Sequence, residues 1–138
     1  MAVIIDSGIW IGFYNNRDEH HYKAVELMKE INTGTYGNLI STDYIIDESL
    51  NYCLVKYSPD KSLFVGEAIM STTEILKINQ EIFDKSWDLF KLDKKKPTNG
   101  KLLSFTDCTT IIIAKSLNIE YIATFDSRFK KYINTVET

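Results

Sequence analysis

Cysteine is scarce in this chain: two residues, Cys53 and Cys108, lie far apart. No Cys-x-x-Cys and no Cys/His ligand spacing occurs, which argues against a structural zinc module and a disulfide scaffold. Two buried free thiols in a reducing compartment are the expectation. Only 2 Pro and 6 Gly are present, so most of the chain can enter regular elements. Disorder, collagen-like repeats and low complexity are excluded. No apolar run approaches the roughly 18 residues that a membrane span needs. The start, Met1-Ala-Val-Ile-Ile-Asp6, has no basic flank and meets an acid at once, unlike a signal peptide. A cytoplasmic protein without membrane contact is the simplest expectation. Basic charge is not in excess either. The net charge is −3 and the pI near 5.4, which excludes gripping nucleic acid by bulk charge.

What is present fits one domain over residues 1–138. At 138 residues, folding hides roughly two-thirds of the surface of the unfolded chain. Apolar residues make up 44% and charged residues 25%, enough for a core without staples. Charge is uneven along the chain. Residues 1–84 carry 13 acids against 6 Lys or Arg, whereas residues 85–138 carry 6 against 10.

Apolar runs predict strands at Ala2–Ile5, Asn38–Ser41, Thr72–Ile78, Leu102–Phe105 and Tyr121–Phe125. Helical patterns fall between them. Glu19–Asn32 carries Ala24, Val25, Leu27, Met28 and Ile31 at helical spacing. Thr42 reads as the cap of a helix reaching about Tyr57, and Ser58-Pro59-Asp60 as a strong helix start. Asn79 caps another helix, and Thr106 begins the next. Strands alternating with helices predict an α/β fold: three α/β/α layers around a central, mostly parallel sheet. In such sheets ligands bind beyond the carboxyl ends of the strands.

Four acids fall at that edge. Asp6 follows the first strand, Asp107 opens a helix after the Leu102–Phe105 run, and Asp126 follows Phe125. Glu48 lies about two turns into the helix capped by Thr42. Taken singly, an Asp after a strand is as readily a cap or turn former. Taken together, four carboxylates need a counter-charge, because two of them about 4 Å apart repel by roughly 4 kcal/mol at a surface-like dielectric. Hard oxygen donors suit Mg²⁺ or Mn²⁺ and phosphoryl chemistry. Within the helix, Asp43 and Asp47 align with Asn51 as a solvated stripe. Glu48 aligns with Ile45, Tyr52 and Val55, an apolar border, which favours Glu48 as the ligand.

The stretches Val3-Ile-Ile-Asp6-Ser-Gly-Ile-Trp10, Ile45-Ile-Asp-Glu48, Ser104-Phe-Thr-Asp107-Cys108 and Ala123-Thr-Phe-Asp126-Ser-Arg-Phe129 resemble the PIN domain. The likeness is nearest to small free-standing members such as VapC-type toxins, and it runs over essentially the whole chain. It implies a metal-dependent endoribonuclease in which Asp6, Glu48, Asp107 and Asp126 are catalytic and hold Mg²⁺ or Mn²⁺. It implies hydrolysis of RNA to a 5′-phosphate and a 3′-hydroxyl. It further implies a small antitoxin partner and a homodimer. Ser7 and Thr124 resemble the small polar residues that line such a site. Arg128 departs from the pattern, standing where many relatives carry a further acid.

Other readings stand beside this one. Lys94, Lys95, Lys96, Lys101 and Arg128 could meet RNA phosphates, or merely solubilise a loop and a tail. Trp10, Phe13, Tyr14, Trp87 and Phe90 could stack on bases, form core, or face a partner. His20 and His21 are adjacent on a helix, so one ion cannot easily take both. A non-catalytic RNA- or protein-binding module, or an RNA-maturation nuclease outside toxin–antitoxin pairs, would share the same fold. A haloacid-dehalogenase-type phosphatase would want Asp-x-Asp at the first strand, where this chain has Asp6-Ser7-Gly8.

Overall fold

The computed structural model describes residues 1–95 and 102–137. Its organising element is the first strand, β1 (Ala2–Ile5), in which Val3, Ile4 and Ile5 are completely buried. An apolar run without alternation is what a parallel strand covered on both faces requires. β1 pairs on one side with β2 (Asn38–Thr42) and on the other with β4 (Tyr121–Ala123). β3 (Glu74–Leu76) and the two-residue β5 (Asn134–Thr135) add at the edges, giving the order β3-β2-β1-β4-β5, parallel at every pairing.

Two helices, α1 (Ser7–Tyr14) and α2 (His21–Ile31), connect β1 to β2. Two more, α3 (Asp43–Lys56) and α4 (Pro59–Thr72), connect β2 to β3. The return to β4 runs through α5 (Gln80–Lys95) and α6 (Phe105–Ser116). Because the first two crossovers step one way along the sheet and the third steps back, right-handed connections put α1–α4 on one face and α5 and α6 on the other. This is the expected three-layer arrangement. The strand order reverses at β1, so a crevice opens beyond the carboxyl ends of β1 and β4.

The capping residues behave as their chemistry demands. Thr42 accepts the N–H of Ile45, Ser58 that of Lys61, and Asn79 that of Ile82. Pro59 occupies the first turn of α4, where its missing N–H costs nothing. Cys53 and Cys108 are buried and free.

Two expected strands are corrected. Leu102–Phe105 is not a strand. Ser104 and Asp107 form a reciprocal capping box, and the helix begins at Phe105, not Thr106. The expected Thr72–Ile78 strand shortens to Glu74–Leu76, because Thr72 still donates to Ala68 within α4. Of the readings open for the aromatics, core holds for Trp10, 1% exposed, whereas Trp87 is half exposed and stacked on Phe90. Asp43 is also more than a surface acid: its Oδ1 accepts the N–H of Ile78 and ties α3 to the exit of β3.

The turn into β2 makes a sharp test of backbone argument. Gly34 and Gly37 both have positive φ, +85° and +82°. A Cβ on Gly34 would meet nothing, but one on Gly37 would fall 2.0 Å from the Met1 carbonyl oxygen. G34A is expected to cost about 1 kcal/mol for the left-handed backbone alone. G37A should cost clearly more, read as the difference in urea midpoints of the two variants.

Candidate active site

Asp6 leaves β1 at the mouth of the crevice. Its backbone N–H donates to Ala123 of β4 (2.9 Å), continuing the strand pairing by one residue. Its Oδ1 accepts the N–H of Ser7 (2.9 Å), so the carboxylate caps α1. Its Oδ2 accepts the hydroxyl of Thr124 (2.7 Å), the residue after β4. The same hydroxyl accepts the N–H of Asp126 (3.1 Å), which places a second acid beside the first.

Asp107 arrives by another route. The expected strand before it does not exist; the capping box of α6 aims it instead, with Ser104 N–H on its Oδ2 (3.0 Å). Glu48 enters from α3, with the hydroxyl of Ser7 near enough to its carboxylate to favour the charged form. The row Tyr52 and Val55 emerges into solvent, 41% and 88% exposed, so the apolar border expected along that row is absent. Glu48 is half-buried because this part of α3 faces α1 and α6. Asp47 is exposed and bonded to Asn51, as its stripe predicts.

Asp6, Glu48, Asp107 and Asp126 therefore line one open cleft of about 540 Å³, together with Ser7, Thr124, Arg128 and His20. His20 is the residue that adjacency arguments underrated. It stacks on Phe125 at 4.7 Å, at the rim of the acids. No local pattern marks it, since the contact joins the start of α2 to the end of β4.

Charge is crowded here. Burial, with the charges of Asp107 and Glu48 adding to it, pushes the Asp6 carboxyl up to about 7, against the opposing bonds of Thr124 and Ser7. Burial and Asp107 raise Glu48. Burial raises Asp107 even against its capping bonds and Arg128. Glu48 Oε2 is buried with no hydrogen-bond partner. All four groups offer hard oxygen donors, the set a divalent cation such as Mg²⁺ or Mn²⁺ takes, and the orphaned oxygen of Glu48 lacks the partner such an ion would supply. Yet among the described residues no three His, Cys, Asp or Glu side chains form a ready-made grip for one ion. Arg128 stands at one side of these acids. Its guanidinium forks onto both oxygens of Asp126, with Nε at 2.9 and 3.0 Å and Nη2 on Oδ2, and its Nη2 stands 3.8 Å from Asp107 Oδ2.

The lysines divide. Lys94 is held by Asp93, by the Leu103 carbonyl and over the ring of Phe90 at 3.8 Å, so it braces the α5–α6 connection. Lys95 is exposed. Lys96 and Lys101 lie outside the described residues.

The PIN domain family model matches residues 3–134. The chain belongs to the PIN domain family. A VapC ribonuclease of Archaeoglobus fulgidus is 31% identical to this PIN chain over 129 residues, covering 94% of the chain and 80% of the relative. Among solved structures, the Mycobacterium tuberculosis VapC20, a sarcin–ricin-loop-cleaving toxin, superposes with a TM-score of 0.78 at 12% identity, covering 94% of this chain and 93% of that one. DNA-bound VapBC from Salmonella typhimurium matches with a TM-score of 0.68 at 16% identity, over 99% and 97% of the two chains. No helix among the described residues is long and apolar enough to cross a membrane.

The raised Asp6 sets a pH dependence in the cation-free PIN protein. Between its ordinary value of 3.8 and about 7, the folded chain holds a proton that the unfolded chain releases. The folded state binds more protons in that window, so stability contributed here falls as pH rises through it and levels off above. D6N keeps the acceptor oxygen and removes the charge. In EDTA its thermal midpoint is expected to match wild type near pH 4 and to exceed it by several degrees at pH 8. Parallel profiles for the two proteins would show that Asp6 is not electrostatically stressed.

Proposed function

We propose that this chain is a divalent-metal-dependent endoribonuclease, the toxin of a toxin–antitoxin pair, with Asp6, Glu48, Asp107 and Asp126 as its metal-binding and catalytic acids. The observation that carries the reading is the convergence of Asp6, Glu48 and Asp107 from three separate elements into one cleft, each with its proton affinity raised by burial. A fold gains nothing in stability from that arrangement. The kinship with a VapC ribonuclease supports the same conclusion.

Bound there, Mg²⁺ or Mn²⁺ would supply Lewis-acid activation of water and neutralise charge developing on the phosphodiester. The protein's own part is placement. Thr124 fixes Asp6, Ser7 steadies Glu48, and Ser104 aims Asp107. These hydroxyls and N–H groups hold the carboxylates in one orientation, as outer-shell donors do in metal sites. RNA is the substrate, cut by hydrolysis to a 5′-phosphate and a 3′-hydroxyl. Lys95 is the described lysine of the basic run best free to meet its phosphates. Exposed Leu54, Val55, Leu63 and Phe64 on α3 and α4 support a homodimer and an antitoxin partner. Free Cys53 and Cys108 support residence in a reducing cytoplasm.

Incubation of purified protein with a mixed RNA pool, with and without Mn²⁺, followed by sequencing of the product ends, tests the reading. Cleavage should require the cation. D6N and D107N retain acceptor oxygens for the local caps, so they should fold, yet lose at least about a hundredfold in rate. T124V should lose roughly tenfold through misplacement of Asp6. RNA binding without cleavage under every cation would instead assign a non-catalytic module.

A further inference from the structure

Arg128 is an unusual occupant for an acid cleft. A guanidinium used only to brace a turn would have its donors satisfied. Here Nε and Nη2 are spent on Asp126, Nη2 also faces Asp107, and Nη1 is buried without any partner. Arg128 is anchored two residues from Asp126 by its own backbone, whose N–H donates to Asp126 Oδ1 (2.9 Å). Among the described residues, it is the cation paired with acids of the cleft. Lys94 is turned away onto Asp93 and Leu103.

We propose that Arg128 is a built-in competitor for the divalent cation: its guanidinium stands in for the metal in the cation-free protein and must leave Asp126 and Asp107 before the metal can engage them. The inference rests on the cation-site reading above. Its physical basis is geometric. A planar fork can span two carboxylates from one side only, whereas a small divalent ion accepts oxygens from all around. The guanidinium therefore offsets the repulsion at the Asp107–Asp126 side of the cleft and leaves Asp6 and Glu48 uncompensated. A divalent ion serves the whole set, but its apparent affinity is reduced by the fraction of molecules in which Arg128 occupies the site.

The test measures binding rather than cleavage. Chelator-stripped wild type, R128A and R128K are titrated with Mn²⁺ by calorimetry, with circular dichroism to confirm folding. R128A should bind at least tenfold more tightly than wild type. R128K, which keeps the charge but loses the fork, should fall between them. A structural brace predicts the opposite sign, since its removal would disorder Asp126 and weaken binding. Equal or weaker binding by folded R128A overturns the inference while leaving the cation site standing. Absence of binding by every form overturns both readings.

A second measurement follows the wild-type protein itself. The chain holds two arginines, Arg17 and Arg128, so a ¹⁵N spectrum resolves two Nε–H signals, and R128K assigns them. The Arg128 signal should start exchange-protected and shifted, then move to the free-arginine position as diamagnetic Mg²⁺ is added. Heat of Mg²⁺ binding without movement of that signal would overturn the inference.

Discussion

Burial of several carboxylates in one cleft, with their mutual repulsion added, is the constraint on which this molecule turns. Two carboxylates a few ångströms apart cost roughly 4 kcal/mol at an intermediate dielectric. A helix N-terminus returns only about 0.3–1 kcal/mol for each anion it faces. Capping therefore steadies these acids without settling their charge. Protonation of Asp6, whose carboxyl is driven up to about 7, is one answer available to the chain alone. The fork of Arg128 is the other. Neither reaches the buried, unpartnered Oε2 of Glu48. That residual imbalance is what supports the proposed cation.

Capping and placement in the cleft turn out to be the same act at three of the four acids. Asp6 caps α1, Asp107 completes the capping box of α6, and Asp126 accepts the N–H of Arg128 at the start of a 3₁₀ turn over Ser127–Lys131. Read singly, each Asp is as readily a cap as a ligand. In the structure local backbone donors orient each carboxylate, and that orientation delivers it to the cleft. Glu48 is the exception. It sits inside α3 and caps nothing, and it is also the acid left with an unsatisfied oxygen.

Much of this was legible in the residues, and the failures have physical causes. β1 was plain because three consecutive buried aliphatics precede an acid, and α4 because Ser58-Pro59-Asp60 satisfies the rules of a helix start. Leu102–Phe105 misled because a four-residue apolar run cannot distinguish a strand from the approach to a helix. The capping box three residues apart was the better signal. β5 is two residues long and exists only through its pairing with β4, which no local pattern encodes. The same holds for Arg128. Its charge suggested a phosphate contact, but side-chain direction depends on Asp126 and Asp107, which folding brings to it. Lys94 differs for the same reason, being drawn inward by Asp93 and a carbonyl of the next connection.

Core and cleft are linked through a single strand register. Ile5 stands opposite Ala123, so the next residues, Asp6 and Thr124, emerge side by side and can bond at 2.7 Å. A slip of one residue would turn Ile4 and Ile122, both fully buried, toward the wrong layer. It would also separate Asp6 from the hydroxyl that orients it. The large free energy of burying aliphatic side chains on both faces of β1 and β4 thus enforces a small polar geometry that could not hold itself together. This accounts for the siting of the most stressed acid immediately after the best-buried strand. The repulsion it suffers is opposed there by the most rigid part of the fold, where the backbone has least freedom to relax it away.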